Sequence, residues 1–218
     1  CGATSQNRHF PRCINPTDDN AAVGGSSSGS AVAVAAGMTY AALGTDTAGS
    51  VRIPAATCGL MGLKTTHGAI SNLGCAPLAP SLDSVGILSR FPQDAREIWA
   101  ALCPQMPRPL AQPSINCQLW LPDKGVAPSV AQTIRTWTTK LDARVNDIHM
   151  DESFEVLNRH AQRVLFFETA QTHHSTLTEG TAEPSVQSIG LLGLGLPQSW
   201  YEESMQSRSI LLQDFVNQ

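Results

Sequence analysis

Apolar residues in this chain fall in short blocks whose spacing alternates between two periods. AVAVAAG at 31–37, small and apolar on nearly every side, predicts a helix beginning after Ser30 and packed closely against its neighbours. MTYAALGTD at 38–46 predicts a buried strand, and VRIPAATCG at 51–59 a short helix with Pro54 in its first turn. MGLKTT at 61–66 and VGILSR at 85–90 read as strands, and PQDAREIWAAL at 92–102 as an amphipathic helix. Past a Pro-rich connection at 104–113, the strand NCQLWLP (116–122), the helix APSVAQTIRTWTTKL (127–141) and the strand VNDIHM (145–150) are expected. Helical patterns over 152–174 and 197–216 then flank STLTEGTAEPS at 175–185, which reads as a mobile segment. Strands and helices in alternation make the fold class α/β.

Two glycine-rich loops interrupt the apolar blocks. GGSSSGS at 24–30 has the composition of a flexible linker, yet a tightly packed helix follows it, and TDTAGS at 45–50 echoes it after the next strand. Loops this short between buried elements bring backbone close to something, often a substrate. The N–H groups around Thr47, Ala48, Gly49 and Ser50 are expected to form a concave nest around one oxygen, as an oxyanion hole requires. Ser50, at the end of that nest, is then placed to attack the carbonyl carbon.

The run GGSSSGSAVAVAAGMTYAALGTDTAGSVRIPAATCGLMGLKTTHGAIS, with GATSQN and INP before it and SLDSVGILSR at 81–90 after it, resembles the amidase signature family. The resemblance implies a mixed central β-sheet covered by helices, incomplete in this chain, with 1–103 as the core bearing both serine loops and 104–218 continuing the same domain. It implies amide-bond hydrolysis by a Ser–Ser–Lys triad. The nucleophile falls on Ser50 and the bridging serine on Ser26, with a cis peptide bond expected between Gly25 and Ser26. Thr47, Ala48 and Gly49 are implied as oxyanion and substrate contacts, with Asp46, Arg52, Ser27 and Gly25 in supporting roles. The two hydroxyl oxygens are expected about 2.5–3.0 Å apart in a competent site. Ser28 and Ala48, where glycine is commoner, resemble allophanate-hydrolase-like members and point to a small carboxamide or urea-type substrate. The family's lysine lies upstream of the first glycine loop, and Lys64, Lys124 and Lys140 do not occupy its position, so the chain reads as a portion of a longer enzyme. No cofactor is implied; a homodimer is left open.

Composition narrows the alternatives. With 42% hydrophobic and 15% charged residues the chain can bury a sizeable core, and a net charge of −4 gives no footprint for nucleic acid or an anionic membrane. The apolar runs are too short to span a bilayer, six scattered cysteines lack a C-x-x-C pair, and no metal site is signalled, so a reducing cytoplasm is expected. Gly25-x-Ser27-x-Gly29 matches an α/β-hydrolase elbow, but the segment before it makes a poor strand. A phosphate loop would need a lysine after the glycines. The competing functional class is a non-catalytic protein that binds a partner, either an amidase-like paralogue or one component of an amidotransferase.

Overall fold

The computed structural model describes residues 2, 4–7, 10–105, 115–122, 124–141, 143–149 and 154–217. The elements are α1 (Ser28–Ala35), β1 (Ala41–Asp46), α2 (Arg52–Thr57), β2 (Met61–Lys64), β3 (Ser84–Ser89), α3 (Pro92–Leu102) and β4 (Ile115–Leu119). They continue as α4 (Pro128–Thr138), β5 (Ala143–Asp147), α5 (Phe154–Thr172), α6 (His174–Thr178), α7 (Pro184–Leu194) and α8 (Gln198–Asn217). The chain divides into two compact units, Cys1–Arg108 with Val164–Gln198, and Pro109–Arg163 with Ser199–Gln218.

In the first unit β3 lies between β1 and β2, antiparallel to both, with Gly86 opposite Gly44 on one side and Lys64 on the other. Neighbouring side chains of a strand point to opposite faces, yet Ile87 and Leu88 are both 0% exposed, so both faces of β3 are covered. Leu88 joins Val23, Ala31, Val34, Val51, Ala55 and Cys58 in the main apolar cluster, which welds α1 and α2 onto the sheet. Small residues permit this. A Cβ added at Gly44 would sit 2.5 Å from Ser27 Oγ, so α1 reaches β1 only because that position is bare.

The helix α1 starts at Ser28, inside the glycine-serine run rather than after it, because the serines bond the neighbouring strand: Ser27 Oγ donates to Thr45 O (3.3 Å) and Ser30 Oγ to Leu43 O (2.9 Å). The strand β1 begins at Ala41, leaving Met38 and Tyr40 exposed. The expectation of a mobile segment over 175–185 is corrected: α6 occupies its first part and α7 opens at Pro184, the two holding together where Leu177 packs on Gly190. The apolar residues of IGLLGLGLP at 189–197 fall mostly within α7.

In the second unit β4 and β5 pair in parallel with Ile115 opposite Ala143, joined through α4 as a parallel connection requires. Arg135 reaches Asp147 at 3.2 Å, and the Trp120 and Phe154 ring centroids lie 6.2 Å apart. Arg163 pairs with Glu203 at 3.1 Å and lies 4.7 Å from the Trp200 ring centre, and His160 Nδ1 meets Ser204 Oγ at 3.1 Å. The Pro-rich connection at 104–113 falls mostly outside the described residues, as do Met150 and the start of the helical pattern at 152. Among the described residues no helix is long and apolar enough to cross a membrane.

Leu88→Ala is expected to cost about 2–5 kcal/mol, because it empties a closed cluster whose backbone is held by strands on both sides. Urea unfolding of the complete polypeptide carrying this chain checks this, against an exposed control such as Leu73→Ala, which should shift the midpoint by no more than about 0.5 kcal/mol.

Candidate active site

The segment that carries Ser50 is organised by one buried carboxylate. Asp46 closes β1 with its side chain 0% exposed, and Oδ1 accepts from the N–H of Gly49 (2.8 Å) while Oδ2 accepts from those of Val51 (3.2 Å) and Arg52 (3.3 Å). Arg52 then folds back, Nε to Oδ2 at 3.0 Å and Nη2 to Oδ1 at 2.9 Å. The N–H groups that a new helix leaves unpaired thus meet a negative charge at the start of α2. Burial by itself would raise the Asp46 carboxyl, but the Arg52 guanidinium and the Gly49 and Val51 N–H groups prevail and hold it below its ordinary value. The same ion pair raises Arg52 above its ordinary value. Gly49 carries φ +116°, and a Cβ there would meet Ile53 Cδ1 at 2.8 Å, so the turn needs glycine on both counts.

The first serine loop hangs on the second. Ser27 N–H donates to Ser50 O at 3.1 Å, Ser28 Oγ to Ser26 O at 3.4 Å, and the Gly25–Ser26 peptide bond is cis, the geometry the resemblance implies. Gly25 is buried where any Cβ would strike the Gly2 carbonyl oxygen. The hydroxyls of Ser26 and Ser50 make no hydrogen bond with each other or with another described residue; the loops are joined through backbone. A hydroxyl takes a fixed direction only when a third group receives its proton, and such bonds commonly tighten only with substrate present.

The nest is smaller than its sequence suggests. The Gly49 N–H is committed to Asp46, whereas those of Thr47, Ala48 and Ser50 make no hydrogen bond to a described residue and remain as donors for an incoming oxygen. Lys64 directs Nζ to Thr65 O (2.9 Å) and Ser84 Oγ (3.2 Å), Lys124 pairs with Glu155 at 3.6 Å, and Lys140 Nζ lies 4.9 Å from the Trp137 ring centre.

Ser26, Thr45 and Thr47 open on a cavity of about 430 Å³ whose other walls include Asn72, Asp83 and His173. Those last three were not singled out from the sequence. Asp83 lies in the SLDSVGILSR stretch, where its carboxylate accepts from Thr47 Oγ1 (2.5 Å) and from the N–H groups of Leu78 (2.8 Å) and Ala79 (3.2 Å). His173 reaches Pro77 O through Nε2 at 3.0 Å. An Asp that closes a proline-rich turn ahead of a strand is a legible signal; a histidine 96 residues from its partner is not. Among the described residues no cluster of His, Cys, Asp and Glu could hold a metal ion.

A short serine loop clamped to a second, ion-paired serine loop beside a cavity defines a candidate serine hydrolase site. The family model described as Amidase matches residues 1–165, and the chain belongs to that family. It is 39% identical to the glutamyl-tRNA(Gln) amidotransferase protein of Nitratiruptor sp. over 122 residues, 56% of this chain and 28% of that protein. To the translocon at the outer membrane of chloroplasts 64 of Pisum sativum it is 45% identical over 97 residues, 44% of this chain and 16% of that protein. A solved amidase superposes with a TM-score of 0.88 at 31% identity, covering 99% of this chain and 51% of the amidase. A serine-to-alanine variant of Kluyveromyces lactis allophanate hydrolase gives 0.70 at 26% identity, over 91% of this chain and 36% of that one. The chain therefore spans about half of the solved amidase and has its mixed α/β fold in part.

Because the Asp46 carboxyl is held below its unfolded value of about 3.9, its stabilisation is complete above about pH 4 and is lost as the pH falls through the lowered native value. Asp46→Ala, which strands buried N–H groups, should cost at least about 1–3 kcal/mol at pH 7. Urea midpoints of both proteins between about pH 2 and 7 test this: the gap should narrow at the acid end, where the charge-dependent part is lost, and a gap independent of pH would contradict the assignment.

Proposed function

We propose that this chain is the serine-bearing part of an amide-bond hydrolase acting on a small carboxamide or urea-type substrate. Ser50 attacks the carbonyl carbon, its proton passing to Ser26, while the free N–H groups of Thr47 and Ala48 receive the developing oxyanion. The C–N bond breaks, the leaving nitrogen takes a proton returned through Ser26, and ammonia or an amine departs. Water then releases the acid from the acyl-enzyme and restores the Ser50 hydroxyl. The lysine that accepts the first proton is assigned to the half of the family fold that the chain does not span.

The observation that carries this reading is the Ser27 N–H to Ser50 O bond at 3.1 Å, which fixes the two serine loops side by side with unpaired N–H groups next to them. Membership of the amidase family and the solved allophanate hydrolase among the structural relatives support the reaction class and the small substrate. The likeness to the pea translocon component favours a second reading, a non-catalytic relative that uses the same scaffold to bind a partner.

In the complete polypeptide, Ser50→Ala should abolish both acyl-enzyme formation and labelling by a serine-directed phosphonate. Ser26→Ala should lower kcat by about 10²–10⁴-fold with substrate affinity nearly unchanged, the loss expected of a proton-transfer group. Ammonia release and probe labelling followed on each variant decide the matter. Absence of labelling at Ser50 in the unmutated protein would favour the binding role, and small, equal losses in both variants would remove both serines from the mechanism.

A further inference from the structure

We propose that Asp83 is a positioning residue for the reaction: through the Thr47 hydroxyl it fixes the direction in which the N–H groups of Thr47 and Ala48 meet the developing oxyanion. The inference rests on the hydrolase reading above and adds a residue to it.

The turn that carries Ser50 is held from two sides. Asp46 reaches its later part, at the N–H groups of Gly49, Val51 and Arg52, and none of those bonds touches Thr47 or Ala48. The backbone ladder stops short of them as well, since β1 ends at Asp46, opposite Ser84 of β3. Continued by one step, that antiparallel register sets Thr47 against Asp83. There a side-chain bond takes over from the ladder, Thr47 Oγ1 donating to Asp83 Oδ1 at 2.5 Å. An N–H kept free for a ligand has no bond of its own to aim it, so its direction is set by whatever holds the rest of its residue. For Thr47, and through it for the Thr47–Ala48 peptide, that is the bond to Asp83.

Asp83 is built as the fixed end of this bond. Its Oδ2 accepts from the N–H groups of Leu78 (2.8 Å) and Ala79 (3.2 Å), while the N–H groups of Leu82 and Asp83 both donate to Ala79 O at 2.9 Å, so the carboxylate closes a tight turn of its own. That turn is tied down in addition by Asn72 Nδ2 on the Asp83 carbonyl (2.8 Å) and by Glu168 on the Ser81 N–H (2.9 Å). Thr47 makes its one hydrogen bond among the described residues to this anchor. The charge of Asp83 cannot be what serves the reaction, because a carboxylate near a developing oxyanion opposes it. Its contribution is geometric, and a neutral side chain of the same shape can supply it.

The test follows phosphonylation of Ser50 by a small alkyl fluorophosphonate in the complete polypeptide carrying this chain. Its dependence on probe concentration separates the probe's affinity, KI, from the rate of bond formation, kinact, and the phosphoryl oxygen takes the oxyanion's place. Thr47→Val keeps the shape of the side chain and removes the hydroxyl. It should lower kinact about 10- to 100-fold with KI nearly unchanged, and Thr47→Ser should avoid most of that loss. Asp83→Asn can hold the Leu78 and Ala79 N–H groups through its oxygen and donate from Nδ2 to Thr47 Oγ1, so it should keep most of the rate that Asp83→Ala loses. In an Asp83→Ala background Thr47→Val should lower kinact little further, because both changes cut the same bond. An unchanged kinact in Thr47→Val, a loss carried by KI instead, or Asp83→Asn as damaging as Asp83→Ala overturns the proposal. If Asp83→Ala does not fold, the two Thr47 variants and Asp83→Asn decide it. Labelling of Ser50 that Thr47→Val leaves untouched removes Asp83 from the mechanism and leaves the hydrolase reading standing, whereas absence of labelling in the unmutated protein overturns both.

Discussion

The buried carboxylate of Asp46 is the constraint from which the rest of the site follows. A charge with no exposed surface persists only where its oxygens are filled, and here the N–H groups of Gly49, Val51 and Arg52 and the Arg52 guanidinium fill them. Those bonds set the turn between β1 and α2. Since Ser50 lies inside that turn, its carbonyl is aimed at Ser27 N–H, and the first serine loop takes its place by leaning on the second. Ser27 and Ser30 complete the connection by donating to main-chain oxygens of β1. Loss of the carboxylate charge would loosen a sequence of contacts, not a single pair.

A second carboxylate extends this order outward. Asp83 ties Thr47, in the second serine loop, to the segment that returns to β3, and Glu168 of α5 accepts from Ser81 N–H at 2.9 Å in the same segment. One acid thus orders residues within six positions of itself, while the next two act over 36 and 87 positions. The cavity beside Ser26 owes its shape to these longer connections. Its walls include Asn72, Asp83 and His173, which the amidase family resemblance did not assign.

The family scaffold by itself does not fix a function, because function resides in the groups a cavity presents. The relatives that share this core include a glutamyl-tRNA(Gln) amidotransferase protein and a chloroplast translocon component, each several times longer than the matched stretch. What this chain presents is a pair of serine loops joined through backbone, with N–H groups at Thr47 and Ala48 that make no hydrogen bond to a described residue.

The sequence by itself determined the features that are local. The serine loops and the helix over 92–102 were legible because a turn of glycines and serines, or a proline followed by an amphipathic period, imposes its geometry within a few residues, whereas the cis bond at Gly25–Ser26 was expected only from the family resemblance. The same locality explains the misreadings. The segment STLTEGTAEPS at 175–185 reads as mobile from its sequence, yet it holds α6 and the start of α7. In the tertiary structure Gly190 receives Leu177, and Gly193 lies where a Cβ would strike the Phe166 carbonyl, so they are the points of closest helix contact. The diversion of the Gly49 N–H from the nest to Asp46 was equally hidden, since an N–H has no sequence mark for its acceptor. Only the tertiary structure decided that Asn72, Asp83 and His173 share one cavity with Ser26, because hydrogen bonds to main-chain oxygens, which every residue type carries, brought them there.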